Sequence, residues 1–181
     1  MNPNQSRVSL SLILLLAACG GDAPSAASTT VTPSPQVQKL VLTSDPGAAI
    51  SVKDAKATGT KDRAVVVGRI AKLSPGNAAF TLADASMPYC GEKNPDDHCP
   101  TPWDYCCESK DTITGNSMFV EAKGSDGNTL ATPALPDLRL LDLVKVTGKL
   151  AKDEHGNVSI VADGFFRTER PKLPDYVKWP Q

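Results

Sequence analysis

The chain has 181 residues, with 19 Lys and Arg side chains against 20 Asp and Glu, so its formal net charge is −1 at pH 7. Binding to nucleic-acid phosphates requires clustered Lys and Arg, and we therefore expect no nucleic-acid partner. The sequence has no phosphate-binding loop, dinucleotide fingerprint, H-E-x-x-H motif or serine triad in a supporting context, so we do not expect an enzyme.

Residues 1–18 have the features of a secretory signal peptide. Arg7 is its only charge, and the apolar run at 8–16 is shorter than the roughly 20 residues of a membrane-spanning helix. The run leads into Leu16-Ala17-Ala18-Cys19, which resembles the lipobox of bacterial lipoproteins. The resemblance implies a lipid anchor on Cys19, and the following glycine implies the outer membrane, facing the periplasm. The alternative is an ordinary signal peptide in which Cys19 has no role.

The mature chain is predicted to begin with a tether. Residues 19–38 are small, polar and Pro-containing, with one charged side chain, a composition typical of disordered segments. One domain is predicted over residues 39–170, followed by a Pro-spaced tail at 171–181.

Short segments of alternating apolar and polar residues predict five strands, at 64–73, 78–84, 117–122, 144–150 and 158–166. A helix is predicted at 50–57, a helical turn within 133–141, and a hairpin turn at 153–157. The side chains predicted to face the core include Val65, Val67 and Ile70 in the first strand and Phe166 in the last.

This order predicts an all-β fold with one or two short helices, namely a five-stranded Greek-key barrel. The segments ISVKDAKA, VVVGRI, FTLADAS, FVEA, LDLVKVTGKL and NVSIVADGFF resemble an OB-fold domain. In particular they are similar to the bacterial periplasmic OB-fold (BOF) family, over about residues 50–167. The resemblance implies a small binding module whose ligand is unknown. Phe80 and Phe119 are candidate stacking platforms, although we favour places in or near the barrel core.

Residues 85–114, which we name the cysteine-rich insertion, separate the second and third predicted strands and depart from the BOF pattern. They carry Cys90, Cys99, Cys106 and Cys107. Export favours disulfides. A bond between the neighbours Cys106 and Cys107 would strain the peptide, so we expect Cys90 and Cys99 each to pair with one of them.

Two other interpretations of the insertion stay open. Cys90, His98, Cys99, Cys106 and Cys107 are all ligands that Zn²⁺ or copper accepts, so a metal site is the main alternative. Thiol redox chemistry by the neighbouring pair is the other, although the flanking acidic residues oppose thiolate formation. His98, Trp103 and Tyr105 are the candidate binding side chains, with the two aromatic residues expected over the sulfurs or the open end of the barrel.

Overall fold

A computed structural model of the chain describes residues 32–94 and 96–179. The predicted signal peptide, Cys19 and the predicted tether as far as residue 31 lie outside these residues. Among the residues described, no helix combines the length and the apolar character needed to cross a membrane.

Most of the described chain is β-structure. A two-residue strand β1 (Ile50–Ser51) precedes the longer strands β2 (Lys61–Leu73), β3 (Ala79–Asp84), β4 (Ser117–Ala122), β5 (Leu143–Lys152) and β6 (Val158–Glu169). The helices are α1 (Pro35–Gln38), α2 (Val52–Thr58), α3 (Lys110–Gly115) and a 3-10 helix at Pro102–Asp104. The helix predicted at 50–57 begins later than expected, because Ile50 and Ser51 pair in parallel with β2. The helical turn predicted within 133–141 is wrong, because those residues form only turns and bends.

The five longer strands close into a barrel. The order is β2-β3-β4-β6-β5, and β5 returns to pair with β2. All pairs are antiparallel except β4 with β6. This arrangement confirms the predicted OB-like barrel, with the cysteine-rich insertion between its second and third strands.

Alternate side chains along the strands point inward and fill the barrel. The prediction of which side chains face inward is wrong in two strands. In β2 the buried side chains are Ala64, Val66 and Ile70, so Val65 and Val67 face outward. Gly68 lies on the inward face, where an added Cβ would meet the carbonyl oxygen of Ala83 on β3. The strands therefore approach too closely there for a side chain.

The second error in phase lies in β6. Thr147 pairs with Gly164 and Gly148 pairs with Ala162, so one residue of β6 is extra at this point. Such a bulge moves the following side chains to the opposite face. Phe165 rather than Phe166 is therefore buried, with its ring centroid 5.6 Å from that of Phe80.

The packed domain begins before residue 39, which corrects the predicted end of the tether. Val37 in α1 is fully buried. The next segment pairs with β6, because the Leu42 N–H donates to the Phe165 carbonyl at 2.8 Å and the Phe165 N–H donates to the Leu40 carbonyl at 2.7 Å.

Candidate functional site

The cysteine-rich insertion starts from a buried carboxylate at the end of β3. Asp84 accepts hydrogen bonds from the N–H of Lys53 at the start of α2, and from the N–H and hydroxyl of Ser86, at 2.7–2.9 Å. Burial acts to raise the pKa of Asp84, but these hydrogen bonds outweigh it and hold the pKa below its ordinary value. The first turn of the insertion is thereby fixed to the barrel.

The four cysteine sulfurs of the insertion converge. The Sγ atoms of Cys90 and Cys106 are 3.4 Å apart, and those of Cys99 and Cys106 are 3.9 Å apart. Cys90, Cys106 and Cys107 have all their Sγ atoms within 4.8 Å of one another. Cys99 is adjacent to this set through Cys106.

The sulfurs are thiols, so the predicted disulfides are not present in the structure. The shortest of these S–S distances exceeds the roughly 2.05 Å of a disulfide bond. Cys106 nevertheless lies close to both Cys90 and Cys99, which are the two residues expected to form disulfides with Cys106 and Cys107.

Cys90 is the sulfur best placed to carry negative charge. It is the only buried one of the four, and burial alone would raise its pKa. Hydrogen bonds from the Cys107 N–H and from the surrounding thiols act in the opposite direction and lower the Cys90 pKa overall. The same contacts raise the pKa of Cys106 to about 12 and that of Cys107 to about 11. Of these three sulfurs, Cys90 is therefore the first to form a thiolate.

The structure does not bring His98 into the sulfur cluster. Its Nδ1 lies 2.8 Å from the Asp96 carbonyl oxygen, and its ring packs against Tyr176 with centroids 5.2 Å apart. The neighbouring Asp97 does reach the cluster, where its carboxylate accepts a hydrogen bond from Cys107 Sγ at 3.4 Å. A metal ion held at this cluster would therefore be bound by sulfur, with the Asp97 carboxylate beside it.

The C-terminal tail covers the insertion, which the sequence did not predict. The Tyr176 hydroxyl donates to the Asp97 carbonyl at 3.3 Å, Val177 is buried, and the Trp179 ring stacks on Trp103 at 5.6 Å. Between tail and insertion lies a cavity of about 200 Å³ lined in part by Cys90 and Cys99. Cys90 and Cys99 are thus covered from one side by residues distant in sequence.

Tyr105 and Trp103 pack against the outer surface of the barrel. Tyr105 is almost fully buried, which raises the pKa of its hydroxyl. Arg69 projects outward from β2, with its guanidinium over the Tyr89 ring and 3.6 Å from the Glu92 carboxylate. The Tyr105 hydroxyl and the Arg69 Nε and Nη1 atoms are buried without a hydrogen-bond partner among the described residues.

A second candidate site is an apolar groove beside the insertion, with a volume of about 660 Å³. Its lining combines outward side chains of β2 and β3 with residues of the insertion and of the segment before β5. The principal lining residues are Ala71, Leu73, Thr81, Trp103, Ile113 and Leu140. Trp103 and Tyr105, predicted as binding residues, both line this groove.

The two phenylalanines predicted as stacking platforms have different environments. Phe80 is fully buried in the barrel, so it is a core residue and is not available to a ligand. Phe119 is 43% exposed on β4 and lines a different groove, of about 460 Å³. Only Phe119 is therefore accessible for stacking.

Comparison of the chain with protein-family models and with characterised proteins found no significant match.

The site residues that sequence reasoning missed are Arg69, Tyr89, Tyr176 and Trp179. Strand alternation identified Arg69 as an outward polar residue but did not place it in the site. No sequence signal linked the aromatic residues of the tail to the cysteines.

Proposed function

We propose that the chain is an exported lipoprotein that presents an OB-type binding module in the cell envelope. Support comes from the apolar run at 8–16, followed by Leu16-Ala17-Ala18-Cys19. Cys19 would carry the lipid, and Gly20 favours the outer membrane facing the periplasm. A Cys19→Ala variant is expected to move from the membrane fraction to the soluble fraction. An unchanged distribution would contradict the anchor.

The activity that the geometry supports best is binding of a thiophilic metal ion, Zn²⁺ or copper, by the cysteine sulfurs. One observation carries it, the convergence of Cys90, Cys106 and Cys107 within 4.8 Å. Sulfurs bound at about 2.3 Å to one tetrahedral ion lie about 3.8 Å apart. The Sγ–Sγ distance is 3.4 Å between Cys90 and Cys106 and 3.9 Å between Cys99 and Cys106, so the two distances lie on either side of that value.

Disulfide formation is the competing chemistry of the same sulfurs in an oxidising compartment. Cys106 is close to Cys90 and to Cys99, so either can pair with it, and Cys107 then takes the remaining partner. Each bond formed releases two protons and two electrons, which a disulfide-bonded oxidant accepts by exchange. A sulfur in a disulfide cannot donate a thiolate to a metal, so the two states exclude each other.

The test is to isolate the full chain anaerobically from membranes and to measure its metal content and its intact mass before and after reduction. We expect stoichiometric metal and no gain in mass. Absence of metal with a gain of four hydrogens on reduction would reject metal binding in favour of two disulfides. Cys90→Ser is expected to lose the ion. His98→Ala is the matched control and is expected to keep it, because its imidazole lies away from the sulfurs.

The apolar groove favours a second candidate function, the binding of a small apolar ligand. Ala71 and Leu73 line it from β2, and Trp103, Ile113 and Leu140 add apolar side chains. Most of the exposed lining surface is apolar, so the groove would select ligands mainly by apolar contact, with Thr81 and Ser117 as polar groups at its wall. The charged side chains among its lining residues are Lys72 and Asp104.

This candidate is tested with a fluorescent apolar probe such as N-phenylnaphthylamine. Binding to the full chain should raise the probe fluorescence, and Leu73→Glu should abolish the increase by placing a charge in the groove. Val41→Glu introduces the same charge on an exposed surface outside the groove and should leave the increase intact. Equal loss in both variants, or no increase in the parent protein, would reject the groove as the site.

A further inference from the structure

The arrangement of the four sulfurs indicates how many of them hold the ion, and this inference rests on the metal-binding function proposed above. We infer that the site binds Cu(I) through three thiolates, those of Cys90, Cys106 and Cys107, and that Cys99 is the sulfur through which the ion is exchanged. The resident ion would then be the monovalent cation rather than Zn²⁺.

The number of converging sulfurs favours a three-coordinate ion. Three Sγ atoms lie within 4.8 Å of one another, whereas Cys99 lies outside this mutual set although it is 3.9 Å from Cys106. Structural zinc sites are almost always closed by four ligands in a tetrahedron. Cu(I) is stable with three soft ligands in a plane, which would lie about 4 Å apart at Cu–S distances near 2.3 Å.

The chemistry of the neighbouring side chains also favours Cu(I). The imidazole that would complete a zinc site, that of His98, contacts Asp96 and Tyr176 instead. The Asp97 carboxylate accepts a hydrogen bond from the Cys107 thiol, a contact that is lost when Cys107 binds copper as a thiolate. A site composed of thiolates alone is selective for soft cations, and Cu(I) is the softest of the common ones.

Cys99 is positioned for ligand exchange. It borders the cavity of about 200 Å³ beneath the tail, and its sulfur is close to Cys106, which is exposed. In the exchange step a bond forms between copper and Cys99 Sγ while the bond to Cys106 Sγ breaks. The proton of the Cys99 thiol moves to the released Cys106 thiolate, so atoms and charges balance. An acceptor thiolate or thioether would then replace Cys99 Sγ, forming its own bond to copper as the bond between copper and Cys99 breaks.

The experiment uses reduced full chain loaded anaerobically with one equivalent of Cu(I). X-ray absorption at the copper edge should give three sulfurs per copper, and competition with bicinchoninate should give the affinity. Each of the variants Cys90→Ser, Cys106→Ser and Cys107→Ser should weaken binding by about 100-fold or more, because each removes one of the three ligands. Cys99→Ser should keep three sulfurs and bind within about tenfold of the parent protein, but should transfer copper to the chelator several-fold more slowly.

The outcomes distinguish this inference from the proposed function. Protein isolated from cells with zinc on four sulfurs, or a Cys99→Ser variant as defective in binding as Cys90→Ser, would overturn the three-thiolate copper site while leaving metal binding in place. Failure to bind copper or zinc at all in the fully reduced chain would reject metal binding itself. His98→Ala serves as the control for general damage to the insertion, and its affinity and transfer rate should equal those of the parent protein.

Discussion

The barrel and the cysteine-rich insertion are stabilised in different ways. In the barrel, each of the five longer strands pairs with two others of the five, and the inward side chains of β2, β5 and β6 alternate with outward ones. In the insertion, regular structure is limited to the 3-10 helix and α3, and its contacts with the tail include the ring pairs His98–Tyr176 and Trp103–Trp179. Backbone pairing makes the barrel independent of the sulfurs, whereas the insertion depends on them and on the tail.

The largest expected effect concerns the aromatic side chain in the barrel. Phe80→Ala should lower the free energy of unfolding by about 4 kcal/mol, because it removes a fully buried ring packed on Phe165. Urea unfolding followed by circular dichroism measures this change. Phe119→Ala is the matched control, and the exposure of Phe119 predicts a loss below about 1 kcal/mol. Equal losses would contradict the division between core and surface.

The next largest effect concerns the close approach of β5 and β6. Gly148→Ala should cost about 3 kcal/mol, because the added Cβ would meet the Val161 carbonyl oxygen and lie 2.9 Å from Ala162 Cα. Gly115→Ala in α3 is the comparison variant, since nothing lies within 4 Å of its Cβ. That variant should be unchanged or more stable by up to about 1 kcal/mol. Thermal unfolding of the two variants measures the difference.

A smaller effect is expected where the insertion joins the barrel. Asp84→Asn should cost about 2 kcal/mol at neutral pH, because the ionised carboxylate accepts three hydrogen bonds. The native pKa of Asp84 lies below its ordinary value of 3.8, so this stabilisation is present above pH 3.8 and is lost as pH falls through the native pKa. The stability difference between parent and variant should therefore shrink below pH 4. A difference independent of pH between 2 and 7 would contradict this account.

Removal of metal from the reduced protein should have the smallest effect on the stability of the barrel. The exchange of the Cys90 amide, whose N–H donates to the Pro102 carbonyl at 3.2 Å, should become faster by an order of magnitude or more. The amides of β5 and β6 should be unaffected, with a change in barrel stability below about 1 kcal/mol. Hydrogen exchange before and after chelation measures both. Faster exchange throughout the barrel would show that the two regions unfold together.

Sequence reasoning predicted the barrel because alternation of apolar and polar residues follows directly from strand geometry. It failed at Val65, Val67 and Phe166, where a strand's phase depends on a bulge or on a close glycine contact that only the partner strand reveals. It also placed α1 in the tether, because the burial of Val37 depends on distant residues.

The candidate site was predictable only in part. The concentration of cysteines identified the insertion, but local sequence could not show which sulfurs meet. His98 is adjacent to Cys99 in the chain, yet its ring packs on Tyr176. Closeness in the sequence therefore does not show that a residue is a ligand, because backbone turns decide the direction in which each side chain points. The stacking of Trp179 on Trp103 joins parts of the chain that no short motif connects.

The covering segment follows the insertion in the chain, and this order has a kinetic consequence. Ribosomes make residues in order, so Cys90 to Cys107 emerge well before β6, which completes the barrel, and before Tyr176 and Trp179. During synthesis the sulfurs are therefore open to solvent, ions and oxidants. Whichever of these reaches Cys90 and Cys99 first acts before the tail covers them, so the delay between the insertion and the tail helps to decide the initial state of the cluster.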